Sequence, residues 1–131
     1  MVELKSSEDI AKIKESGRII AKVLKRMQLE VLPGVSTWEL DKIAEEIIRA
    51  EGAVPSFLGY GGFPASICTS VNEQVCHGFP TEDVVLKNGD ILNIDCSTIL
   101  DGYFSDSSRM YMIGEVAPEA KELVEFVHDV I

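Results

Sequence analysis

The sequence predicts a single α/β (α+β) domain over residues 1–131, in which helices pack on the outer face of an antiparallel sheet. Two observations support this prediction. Apolar residues recur at helical spacing near both ends of the chain, and two strand-like runs flank Asp101-Gly102. An Asp-Gly pair favours the two-residue turn of a β-hairpin, because both central positions of that turn need a positive φ. The sequence therefore predicts a hairpin between residues 91 and 109.

Three helices are predicted. Ser6 begins the first as an N-cap, Ser36 begins the second in a capping box with Glu39, and Pro118 opens the third. The apolar residues expected to face the sheet are Ile10, Ile13, Gly17, Ile20, Leu24 and Met27 of the first helix, and Leu40, Ile43, Ala44 and Ile47 of the second. The third helix has an apolar stripe made of Ala120, Leu123, Val124, Val127 and Ile131. Because no stop signal follows the third stripe, we expect the chain to be truncated within a helix that continues in a longer protein.

Composition limits the functional classes. A net charge of −10 argues against nucleic acid or an anionic membrane as the main partner. No apolar run approaches the ~18 residues of a membrane span, and no signal-like segment is present, so we expect a cytoplasmic protein. The three cysteines have no zinc-like spacing and suit a reducing compartment. With two histidines, one copy of the chain cannot build a histidine-rich metal site.

The predicted hairpin carries two acids that share a face. With Asp101-Gly102 as the turn, Asp95 lies opposite Ser108 and Asp106 lies opposite Ser97. Side chains alternate along a strand, so the two carboxylates are diagonal neighbours roughly 7–8 Å apart at the backbone. They repel each other unless a proton or a metal cation lies between them. A bridging divalent metal is one interpretation, and an exposed acidic pair screened by water is the other.

Two further segments are candidates for a binding site. The glycine- and aromatic-rich run from Phe57 to Pro64 reads as a loop that either walls a ligand or is pinned to the surface by its aromatics. A strand over 65–71 follows it. His77 then lies between the strand end and Gly78, where a histidine could donate a proton, although a lone histidine is more often structural.

Taken together, these motifs resemble those of the type I methionine aminopeptidases. The matching segments are Gly59–Pro64, Ser66–Cys68, Val71–Glu73, Cys76–Gly78 and the two hairpin acids, and the resemblance covers the whole chain in sequence order. It implies one half of the pita-bread α/β fold. It also implies removal of the initiator methionine from nascent proteins by a cytoplasmic enzyme that uses two divalent metal ions (Mn, Fe, Co or Zn).

The resemblance assigns a role to individual residues. Asp95 corresponds to the chelating aspartate and Asp106 to the aspartate that bridges the two metals. His77 corresponds to the histidine that contacts the scissile amide and steadies the tetrahedral intermediate. Ser97 falls where a polar side chain helps to hold the free amine of the substrate. The positions that line the methionine pocket are Phe57, Tyr60, Phe63 and Cys68.

One departure from the family pattern is large. The remaining family ligands, one histidine and two glutamates, have no counterpart in the sequence, and His128 does not match the missing histidine. We therefore expect weak or absent metal binding and little catalysis from this chain alone. An alternative is a non-catalytic binding module that retains the methionine pocket. We also expect a homodimer through the face that the second half would cover, with the acids of both copies sharing a divalent cation.

Overall fold

The computed structural model describes residues 2–130. Its elements are helix α1 (Ser7–Glu30), helix α2 (Thr37–Ala50), strand β1 (Val54–Pro55), a 3₁₀ turn (Tyr60–Gly62), strands β2 (Ile67–Val71), β3 (Ile91–Leu100) and β4 (Tyr103–Met112), and helix α3 (Pro118–Val130). The predicted mixed α/β class and the three helices are confirmed, whereas β1 and the 3₁₀ turn were not predicted. Within residues 2–130, every helix is too short or too polar to cross a membrane.

Strand β3 is the centre of the sheet. Strand β4 pairs antiparallel with it along its whole length, and the short strands β1 and β2 pair with consecutive parts of its other edge. The turn residues Asp101 and Gly102 have φ values of 50° and 82°, as a type I′ turn requires. Leu100 lies opposite Tyr103. The predicted hairpin and its register are therefore confirmed.

The hydrophobic core lies between the sheet and helices α1 and α2. Alternate side chains of β3 point into it, because side chains along a strand alternate between the two faces. The prediction that Ile10 faces the core is wrong: it is 45% exposed, and the buried stretch of α1 starts only at Ser16. The first turns of α1 run beside the hairpin turn, where the sheet ends. The largest fully buried apolar side chains include Ile20, Met27, Leu40, Ile48, Ile67, Leu86, Leu92 and Ile94.

Helix α3 packs loosely on the rest of the described chain. Val124 is its one buried side chain within residues 118–130, and Leu123, a member of the predicted apolar stripe, is 60% exposed. The helix follows the edge strand β4 along the chain. Ile131 lies outside the described residues. The structure contains one copy of the chain, so the homodimer expected from the sequence stays a prediction.

A buried carboxylate joins helix α2 to the start of β2. Asp41 accepts hydrogen bonds from the backbone N–H groups of Ser66 and Ile67 at 2.8 and 2.9 Å, both through Oδ1. Burial raises the pKa of Asp41, and the two backbone donors oppose that rise. Both N–H groups are buried away from water, so without the carboxylate they would have no hydrogen-bond acceptor. Asp41 therefore sets the point at which β2 begins.

A second polar contact joins the first turn of α1 to the hairpin. The Tyr103 hydroxyl donates to Asp9 Oδ1 at 2.8 Å, and the Ser6 hydroxyl donates to Asp9 Oδ2 at 2.6 Å. Hydrogen bonds to Asp9 lower its pKa to about 2. The bond from the Ser6 hydroxyl has the largest effect, followed by the bond from Tyr103 and then by the bond from the Ser6 backbone N–H. Ionised Asp9 therefore holds α1 against the start of β4.

We expect Tyr103→Phe to raise the pKa of Asp9, although not to its ordinary value of 3.8, because the Ser6 bonds remain. A lowered pKa makes ionised Asp9 stabilising above pH 3.8 and removes that contribution as the pH falls through about 2. In the variant the contribution is smaller and is lost at a higher pH. Carboxyl NMR titration of Asp9 measures the shift.

The matched control is Tyr111→Phe. The Tyr111 hydroxyl donates to the Leu24 carbonyl instead, at 2.7 Å. The pKa of Asp9 should therefore stay where it is in the unsubstituted chain. An equal rise of this pKa in both variants would contradict the assignment to Tyr103.

Candidate metal centre

The face of the sheet opposite helices α1 and α2 carries the predicted site residues, and we call it the open face. On β3, Leu92, Ile94 and Cys96 point to the core, so Asn93, Asp95 and Ser97 point to the open face. Residues that pair directly across two strands share a face, so the partners of these three residues on β2 and β4 also belong to the open face. The open face therefore comprises Asn93, Asp95 and Ser97 of β3, Cys68 and Ser70 of β2, and Asp106, Ser108 and Met110 of β4.

The two hairpin acids lie together on this face. Asp95 pairs with Ser108 and Asp106 pairs with Ser97, so the predicted parity of the two carboxylates is confirmed. Burial raises the pKa of Asp95, the charge of Asp106 raises it further, and an interaction with His77 opposes both. Asp95 Oδ1 is buried without a hydrogen-bond partner. A buried, unpartnered carboxylate oxygen beside a second carboxylate calls for a cation.

The donor set fits part of a metal centre. Carboxylate oxygens are the ligands that hard divalent cations prefer, and Asp95 Oδ1 has no hydrogen-bond partner among residues 2–130. Over residues 2–130 the structure contains no group of three or more His, Cys, Asp or Glu side chains arranged to hold a metal ion. Asp95 and Asp106 can therefore supply two carboxylates to a divalent cation, and a full coordination sphere needs further ligands.

His77 lies in a loop beside β2. Its backbone has a φ of 56°, in the left-handed region that non-glycine residues rarely adopt. The next residue, Gly78, is bonded to β2 twice: its carbonyl accepts from the Thr69 N–H at 2.9 Å, and its N–H donates to Ser70 Oγ at 3.1 Å. This loop brings His77 close enough to influence the pKa of Asp95.

Cys68 and Ser97 lie next to the acids but are closely packed. Cys68 pairs directly with Asp95 and is buried; burial, followed by the charges of Asp95 and Asp106, raises the pKa of its thiol to about 11. Ser97 is 4% exposed, and its hydroxyl donates to the Ser105 carbonyl at 3.0 Å. Only the lone pairs of this hydroxyl remain for a ligand. Its role in holding a substrate amine stays a prediction.

The aromatic residues of the predicted pocket separate into two groups. Phe57 and Phe63 pack edge to face, with ring centroids 6.1 Å apart, and Phe63 packs in the same way on Phe79 at 5.2 Å. We call Phe57, Phe63 and Phe79 the aromatic cluster; Tyr60, in contrast, is 81% exposed. Phe79 was not predicted. The one signal for it in the sequence is that Phe79-Pro80 repeats the Phe63-Pro64 pair.

Comparison with known proteins defines the class. Residues 11–131 match the profile of metallopeptidase family M24, and the chain belongs to this family. Two acids on one face of a hairpin are consistent with a metallopeptidase, because metallopeptidases hold their metal ions through protein side chains.

Within the family, the chain is similar to methionine aminopeptidases, as the sequence motifs indicated. It is 45% identical over 125 residues to the methionine aminopeptidase of Clostridium acetobutylicum, covering 95% of this chain and 50% of that protein. The crystal structure of methionine aminopeptidase from Rickettsia prowazekii superposes with a TM-score of 0.94 at 43% identity, over 98% of this chain and 52% of that one. The crystal structure of methionine aminopeptidase from Thermotoga maritima superposes with a TM-score of 0.96 at 34% identity, over 99% of this chain and 52% of that one. The chain spans about half the length of these relatives, so the predicted half of the pita-bread fold is confirmed.

Proposed function

We propose that this chain carries part of the active site of a metal-dependent aminopeptidase that removes N-terminal methionine from nascent proteins in the cytoplasm. The observation that supports it is the placement of Asp95 and Asp106 on one face, with a buried carboxylate oxygen that lacks a partner. Similarity to methionine aminopeptidases supports the substrate class. Because the chain matches about half of each relative, we propose that it catalyses little on its own.

The proposal assigns a part to the two acids of the open face, to His77 and to the aromatic cluster. Asp95 and Asp106 would hold divalent metal through their carboxylate oxygens. When bound, such an ion lowers the pKa of a coordinated water and polarises the scissile carbonyl. His77 would stand beside the carboxylates, where its ring would donate a hydrogen bond to the substrate amide. The rings of Phe57, Phe63 and Phe79 offer an apolar wall that suits a thioether side chain.

Isothermal titration with Mn²⁺ tests the metal site. We expect the chain to bind Mn²⁺ weakly, with a Kd of roughly 10⁻⁴–10⁻³ M, because two carboxylates are few ligands. Asp106→Asn should weaken binding at least about tenfold, since it removes the charge and one anionic ligand. Binding should also weaken as the pH falls through the raised pKa of Asp95, because the proton competes with the cation.

Asp101→Asn is the matched control for this titration. It removes the same charge from the same hairpin, but at the turn, where Asn-Gly is as favourable as Asp-Gly. It should leave the affinity for Mn²⁺ unchanged. Equal affinity of the Asp106→Asn variant and the unsubstituted chain would show that the cation binds elsewhere.

Methionine release tests the catalytic part of the proposal. With Mn²⁺, Fe²⁺ or Co²⁺ supplied, we expect negligible release of methionine from short Met-Ala or Met-Gly peptides. Turnover of roughly 1–10³ s⁻¹, as in a competent enzyme, would show that the open face suffices for catalysis.

A binding module that retains the methionine pocket is the second candidate function. It is favoured by an assembled aromatic cluster in a chain whose described residues hold an incomplete ligand set. In this case a Met-Ala peptide should shift the NMR signals of the Phe63 ring without being hydrolysed, and an Ala-Ala peptide should not. Equal shifts with both peptides would argue against methionine recognition.

A further inference from the structure

We infer that Ser70 is a positioning residue: its hydroxyl fixes the loop of residues 72–79, here called the histidine loop, and thereby the position of His77 beside β2. Ser70 is absent from the set of site residues that the sequence motifs indicate. The assignment gives this buried serine a part in the site described above, and it rests on the proposed function of that site.

The contact of Ser70 is specific. The residue is 2% exposed and lies on the open face, opposite Asn93 of β3. Its Oγ accepts the backbone N–H of Gly78 at 3.1 Å in a buried setting. Gly78 is also bonded through its carbonyl to the Thr69 N–H. Two bonds on one residue fix the orientation of its peptide units, whereas a single bond leaves a hinge.

The conformation of His77 shows why the second bond is needed. A φ of 56° is strained for a residue with a Cβ, so the surrounding contacts must hold it in place. The other end of the loop is closed separately, by the N–H of Val71 donating to Gln74 Oε1 at 3.2 Å. On the His77 side, Gly78 makes the nearest bonds to β2.

Loss of the Ser70 hydroxyl therefore has a local consequence. The Gly78 N–H would be buried without an acceptor, which favours an opened loop in which water reaches that group. Strand β2 would stay paired with β3, since Ser70 makes that pairing through its backbone. His77 would then lose its fixed position beside β2, while Asp95 and Asp106 remain in position.

The experiment compares Ser70→Ala with Ser66→Ala by NMR. Ser66 is an equally buried serine just before β2, and its hydroxyl has no partner in the structure. In the unsubstituted chain and in Ser66→Ala, the backbone order parameters of His77 and Gly78 should be near 0.85. In Ser70→Ala they should fall below about 0.6, while those of β3 stay unchanged. Unchanged order parameters in Ser70→Ala would overturn the inference.

Paramagnetic broadening by Mn²⁺ gives the readout that a purely structural role would not move. With Mn²⁺ at the carboxylates, the His77 ring signals and the Cys96 amide signal should broaden together. In Ser70→Ala the Cys96 amide should broaden as before and the His77 ring several-fold less, because broadening falls steeply with distance. Equal broadening of His77 in both proteins would overturn the inference.

Two further outcomes keep the inference separate from the proposed function. If Mn²⁺ broadens neither signal in the unsubstituted chain, the proposed metal site fails, and the order parameters decide the role of Ser70. If Ser70→Ala does not fold, amide exchange in the unsubstituted chain decides: the Gly78 N–H should exchange far more slowly than that of the exposed Val75. Equal exchange would overturn the inference.

Discussion

Asp41→Ala should lower the free energy of unfolding by about 2–4 kcal/mol, because it leaves two buried N–H donors, those of Ser66 and Ile67, without an acceptor. Such a loss is a large share of the stability of a single domain. Urea denaturation followed by circular dichroism measures it. The amides of the first residues of β2 should also lose most of their protection from hydrogen exchange.

Asp41→Asn separates the hydrogen bonds from the charge. The amide keeps an oxygen at the position of Oδ1, so both donors can retain their acceptor, and it carries no charge whose burial is unfavourable. We expect its stability to lie within about 1 kcal/mol of the unsubstituted chain. A loss as large as that of Asp41→Ala would mean that the ionised carboxylate itself is required.

Gly78→Ala should cost about 1–3 kcal/mol and should displace His77. A Cβ at this position would lie 2.1 Å from the carbonyl oxygen and 2.8 Å from the carbonyl carbon of Thr69. Both are backbone atoms of a paired strand and cannot move aside, so the loop must separate from β2. Urea denaturation measures the cost, and the amide signals of His77 and Gly78 report the displacement.

Val75→Ala is the control within the same loop. Val75 is exposed, so its truncation should change stability by no more than about 0.5 kcal/mol. It should also leave the His77 amide signal in place. If Gly78→Ala proves as mild as Val75→Ala, the close approach of Gly78 to β2 does not restrict the loop.

The parts of the fold that the sequence predicts correctly depend on neighbours along the chain. The hairpin follows from Asp101-Gly102 and from alternation on both sides of it, and the starts of α1 and α2 follow from Ser6 and Ser36. Each signal lies within a few residues of the feature that it specifies. The placement of Asp95 and Asp106 on one face belongs to this group, because parity within a hairpin is a local property.

The parts that the sequence does not predict depend on contacts between distant segments. Asp41 reads as one more polar residue of an amphipathic helix until β2 is placed beside it. Strand β1 has two residues, too few for a periodic pattern. The exposure of Ile10 depends on where the sheet ends relative to α1. Phe79 joins Phe63 only after the histidine loop has folded back along β2.

The hairpin register also has a kinetic consequence. Both candidate ligand carboxylates belong to strands joined by a two-residue turn, so they meet through short-range contacts alone. By contrast, the contact that seats α1 on the sheet, between Ser16 and Thr98, closes a far longer segment of chain. Hairpins form in roughly 1–10 μs, and distant contacts close later because of their loop entropy. Asp95 and Asp106 should therefore be side by side before α1 docks. A divalent cation present during folding would bind both carboxylates at that stage and stabilise the hairpin before the core forms.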